Sequence, residues 1–74
     1  MEKSQKNILA ENIKKLRKQH DLTQEELARK ADIAYTSLTK IEIGVIKEPS
    51  VYVVAKIAKA FDVTIESLLI NDEK

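Results

Sequence analysis

The segment Leu22-Thr23-Gln24-Glu25-Glu26-Leu27 constrains the fold more than any other stretch of the chain. Thr23 and Glu26 stand in capping-box register: the hydroxyl can accept the third helical amide while the carboxylate reaches back to the N–H of Thr23. Leu22 before the cap and Leu27 at the fourth helical position form a hydrophobic staple. This predicts a helix over about 23–30 with Leu27, Ala28 and Ala31 turned inward. With one Gly and one Pro in 74 residues, the rest of the chain reads as further short helices separated by tight breaks.

The spacing of Leu9, Ile13 and Leu16 gives one face of a first helix over about 7–19, off which lie Lys14, Lys15 and Lys18. His20-Asp21-Leu22 interrupts it. Asp32-Ile33-Ala34 separates the second helix from a third over about 34–42, with Leu38 and Ile41 inward and Gly44 as its stop. The loop Val45-Ile46-Lys47-Glu48-Pro49 leads to Ser50, a second N-cap, and Val54, Ile57, Ala58 and Phe61 mark a fourth helix over about 50–60. After Asp62-Val63, Thr64 caps a last helix over about 64–69, with Glu66 favourably placed against the macrodipole. Five short helices make an all-α fold. Residues 7–70 are expected to form one domain, with 1–6 a flexible tail and 71–74 a short C-terminal tail carrying no effector domain. A chain this short allows one domain only.

Composition removes several function classes. There is no Cys and a single His, His20, so thiolate and His-cluster metal sites and thiol nucleophiles are excluded, and no cofactor is expected. His20-Asp21 is no dyad, because adjacent residues point apart and no nucleophile pattern accompanies them. No apolar run approaches the ~18 residues of a membrane span, and the polar start is not a signal peptide. A cytoplasmic location is expected. The net charge of +1 decides little, and the slight basic excess of residues 1–30 permits a nucleic-acid face without demanding one.

Helices two and three with their three-residue turn have the dimensions of a helix-turn-helix. Periodicity alone leaves this level with any small helical bundle. The ordered string Leu16-Arg17, Leu22-Thr23-Gln24-Glu25-Glu26-Leu27-Ala28, Ile41-Glu42, Gly44, Pro49-Ser50, Ile57-Ala58-Lys59-Ala60-Phe61-Asp62-Val63 and Leu68-Leu69 resembles the Cro/lambda-repressor type of helix-turn-helix, the XRE family of bacterial and phage transcription regulators. The resemblance covers about residues 8–69.

It implies a five-helix domain that binds double-stranded operator DNA as a two-fold homodimer, without catalysis. Helix three would be the recognition helix. Position by position, Tyr35, Thr36 and Lys40 match base-contacting positions, with Thr39 a lesser candidate. Gln24 matches a phosphate-binding position at the start of helix two, and Ser37 a second backbone contact. Lys47 is the cation left to the following loop. Arg17 and Glu42 match a buried or half-buried ion pair. Ile65 and Ile70, together with Leu69 partly shared with the core, are candidates for a subunit interface.

The chemistry of these side chains agrees: an amide beside free helix N–H groups suits an anion, and Lys40 can donate to guanine O6 or N7. Read from residue types alone, the same positions are also what a solvated helix face requires. Lys14, Lys15, Lys18 and Lys30 are either steering charges for DNA or ordinary solvated ones.

The sequence departs from the family pattern at Asp32, where many members have Gly, and at Ala34, where many have a Ser or Thr cap. The missing cap should cost ~1 kcal/mol. It departs again at Ile43-Gly44-Val45, and in a slightly long loop to Pro49. Ile43, Val45 and Ile46 either tuck in part under helix four or contact DNA sugars or a second protein. They support an alternative reading as a protein-interaction module, an antitoxin or coactivator using the same fold.

Overall fold

The computed structural model describes residues 7–70, so the tails expected at 1–6 and 71–74 lie outside the described residues. It contains α1 (Ile8–Gln19), α2 (Gln24–Ala31), α3 (Tyr35–Glu42), α4 (Val51–Phe61) and α5 (Ile65–Leu69), with no strand among the described residues. The class is all-α, as expected.

Four of the five starts have a local cause in a side-chain cap. The Thr23 hydroxyl accepts from the Glu26 N–H at 3.1 Å while the Thr23 N–H donates to Glu26 Oε1 at 2.9 Å. Ser50 and Thr64 cap α4 and α5 by accepting from the Val53 and Ser67 amides, and Asn7 caps α1 by accepting from Ala10. At α3 the cap position belongs to Ala34, and no side-chain bond is made there.

The stops of α1 to α4 share one device. Leu22 N–H donates to Arg17 O, Ile33 to Ala28 O, Val45 to Lys40 O and Val63 to Ala58 O, the six-to-one bond of a Schellman end. The residue before each donor is left-handed: Asp21, Asp32 and Asp62 at φ 59–61°, and Gly44 at φ 90°. Asp tolerates this region better than most residues, because its short polar side chain can bond locally. Gly44 is the one turn that uses the residue made for it.

Ile13, Leu27, Leu38, Ile41, Ile57 and Leu68 are fully buried and form the centre of the core, with Leu9, Val54 and Phe61 around them. α1 packs on α3 and α5, and α2 on α3 and α4. At the C-terminal end the expected core placement of Leu69 is overturned: Leu68 is buried, whereas Leu69 is 51% exposed. Asn12 Nδ2 donates to both Leu68 O and Ile70 O at 2.9 Å. Those bonds tie the end of α5 to α1. Ile65 is half-buried against the core, and Ile70 is exposed. Among the three apolar residues of the α3–α4 loop, Ile46 tucks onto the core while Ile43 and Val45 remain in solvent. His20 is exposed at the end of α1, its ring centroid 5.1 Å from that of Phe61.

Candidate nucleic-acid interface

α2 and α3 are joined by the turn Asp32-Ile33-Ala34, whose left-handed Asp32 reverses the chain and whose Ile33 packs against the core. Leu38 and Ile41 hold α3 to the domain, which leaves Tyr35, Thr36 and Lys40 exposed on its other side. These residues project from consecutive turns, the arrangement a helix needs to present side chains to a groove. Ser37 and Thr39 are half-buried at the margins of that face. The Thr39 hydroxyl donates to Thr36 O at 2.9 Å, so its proton is committed to its own helix and the oxygen is left as an acceptor.

Gln24 is the first residue of α2 and half-buried. Its Nε2 donates to Glu42 Oε1 at 2.8 Å, a contact that the sequence reading did not include. Glu42, the last residue of α3, is 3% exposed. It also receives Arg17 in a fork, Nε to Oε2 at 2.9 Å and Nη2 to Oε1 at 3.1 Å. Arg17 Nη1 donates in addition to Leu22 O at 3.1 Å. A carboxylate at a helix C-terminus opposes the macrodipole, and its burial is tolerated only with donors of this quality. The cluster pins the end of α1, the start of α2 and the end of α3 at one point.

Lys47 stands exposed in the loop before α4, as do Lys14, Lys15, Lys18 and Lys30 elsewhere on the surface. Tyr52, in the first turn of α4, is 78% exposed and was not singled out in the sequence. Its position off the Val54-Ile57-Ala58-Phe61 stripe was the available signal. Among the described residues no group of three or more His, Asp or Glu is placed to hold a metal ion, and no helix is long and apolar enough to cross a membrane.

A capped α2, a tight left-handed turn and an α3 anchored on one side and polar on the other define a helix-turn-helix domain. The chain belongs to the helix-turn-helix family of the Cro/C1 type, whose sequence model matches residues 13–68. It is 34% identical over 67 residues to the HTH-type transcriptional regulator SinR of Bacillus subtilis, covering 90% of this chain and 59% of that protein. It thus spans less than two thirds of SinR. It is also 39% identical over 61 residues to an uncharacterised HTH-type transcriptional regulator of Methanocaldococcus jannaschii, covering 82% of this chain and 91% of that one.

Two solved structures share the fold. The N-terminal DNA-binding domain of Bacillus subtilis SinR superposes with a TM-score of 0.86 at 29% identity, covering 93% of this chain and all of that one. SinR, described as the master regulator for biofilm formation, in complex with DNA gives 0.81 at 32% identity, over 84% of this chain and 98% of that one. The family is one of transcriptional regulators and is not enzymatic.

Proposed function

We propose that this domain binds double-stranded DNA sequence-specifically in transcriptional control, with α3 in the major groove. The observation that carries the reading is the division of α3: Leu38 and Ile41 are locked into the core, and Tyr35, Thr36 and Lys40 are free to meet base edges. In this role Lys40 donates to guanine, while Tyr35 and Thr36 bond base edges or press a thymine methyl. Thr39 accepts from a base or a bridging water. Gln24, Ser37 and Lys47 position the phosphate backbone.

One recognition helix reads only a few base pairs, too little to pick a site among genomic competitors. A two-fold homodimer on a palindromic operator doubles the readout and sets the two helices ~34 Å apart. Exposed Leu69 and Ile70 supply apolar surface for it, beside a groove of about 310 Å³ whose walls include Leu9, Pro49, Val51, Ile65 and Leu69. Ile65 enters as the floor of that surface, being half-buried. Selection of binding sites from random duplex DNA tests both claims together. Recovery of a palindrome with half-sites one helical turn apart supports them, and recovery of no enriched sequence refutes sequence-specific binding.

A second reading rests on Ile43 and Val45, which are 71% and 66% exposed at the end of α3. Paired apolar side chains held in solvent suit contact with a protein partner, as in an antitoxin or coactivator. A partner that co-purifies through these residues while the domain retains no DNA would favour this reading.

A further inference from the structure

Glu42 does more than neutralise Arg17. A carboxylate offers about four acceptor positions, and Glu42 fills three of them, two with the Arg17 fork and one with Gln24 Nε2. The Gln24 amide has a donor end with two hydrogens and an acceptor end with none. Beside a buried carboxylate only the donor end can face inward, since the carbonyl oxygen would meet negative charge. One Nε2 hydrogen is thereby committed to Glu42, the rotamer of Gln24 is fixed, and a single N–H is left at the N-terminus of α2. Arg17 is held in turn by Leu22 O at 3.1 Å, immediately before the Thr23 cap, so the carboxylate cannot drift without moving α1 as well.

We propose that Glu42 is a positioning residue for DNA binding: it orients the Gln24 amide so that its remaining N–H is presented to a phosphate oxygen. The proposal rests on the DNA-binding function above. It makes an unusual demand on sign. Removing a negative charge near a polyanion should tighten binding, most strongly at low salt. Removing Glu42 should instead weaken it, because the freed Gln24 loses its fixed orientation and can turn its oxygen toward the phosphate.

The test is a double-substitution cycle with Glu42→Gln and Gln24→Ala, read by fluorescence anisotropy on a labelled mixed-sequence duplex at low salt. Circular dichroism confirms that each variant is folded. Glu42→Gln is expected to weaken binding about 5–10-fold in the wild-type background, the size of one net hydrogen bond. In the Gln24→Ala background it should leave binding within about 2-fold or tighten it, since electrostatics alone remains there. Equal weakening in both backgrounds, or tightening in the wild type, overturns the proposal.

A second measurement needs no change at residue 42. In nitrogen-15 spectra of the wild-type protein, one Gln24 side-chain amide proton should be protected from exchange, with the exposed Gln19 as internal control. Gln24 protons that exchange like those of Gln19 refute the orientation directly. A wild type that binds no duplex at all would instead remove the DNA-binding function, and with it this role, even if Gln24 were protected.

Discussion

Truncating Arg17 is expected to be among the most destabilising changes available at a charged side chain of this domain. Arg17→Ala deletes three hydrogen bonds at once, two to Glu42 and one to Leu22 O. It leaves Glu42, whose side chain is 2% exposed against 16% for Arg17, with Gln24 as its remaining side-chain donor among those described. Breaking a buried pair by removing one partner costs ~3–5 kcal/mol. The residual exposure of Arg17 and the surviving Gln24 bond reduce this to roughly 2–4 kcal/mol. For a domain of this size each kcal/mol moves the midpoint by about 4–8 °C, so a fall of roughly 8–32 °C in Tm is expected.

Thermal unfolding followed by circular dichroism measures this, with Lys15→Ala as the exposed control expected to shift by only a few tenths of a kcal/mol. Arg17→Lys should fall between the two, because an ammonium cannot reproduce the planar fork. The pair can also be removed whole. Arg17→Met with Glu42→Leu should recover most of the loss, since no charge is then stranded in the core. If Arg17→Ala and Lys15→Ala melted together, the account of the cluster as a buried, donor-dependent carboxylate would be wrong.

Ala34→Ser should stabilise the fold by about 1 kcal/mol by supplying the missing cap of α3, and denaturant titration would show this as a raised midpoint at unchanged slope. Asn12→Asp replaces a donor facing the Leu68 and Ile70 carbonyls with a carboxylate, so α5 should detach; hydrogen exchange would show protection lost at the end of α5 while α2 and α3 keep theirs. Lys40→Ala should relax preference at one or two base pairs by ~1–3 kcal/mol, whereas Gln24→Ala should weaken all duplexes about equally; binding of each variant to selected and scrambled duplexes separates the two. Leu69→Asp should weaken self-association without loss of helix content, as read by sedimentation at several concentrations with and without a palindromic duplex. Ile65→Asp is the poorer probe, because that side chain also rests on the core.

Local residue patterns decide where helices begin and, in the longer helices, which faces turn inward. Thr23, Ser50 and Thr64 cap as the pattern predicts, because a capping bond joins a side chain to an amide three residues away and needs no distant partner. Leu27, Leu38, Ile41, Ile57 and Phe61 are buried where periodicity puts them, since in helices of eight or more residues the inward stripe is repeated. α5 is only five residues long, and there the period cannot choose between neighbours set about 100° apart around the axis. Leu68, at the fourth helical position after the Thr64 cap, is buried and Leu69 is not, and Asn12 ties the end of α5 to α1 by bonding to carbonyls more than fifty residues away in sequence. Tertiary contact sent Ile46 inward and left Ile43 and Val45 outside, in a loop with no period to read. It also joined Gln24 to Glu42 across eighteen positions. What lies within one helical turn is encoded locally, whereas a buried carboxylate takes its donors from whatever elements the packing of the core brings to it.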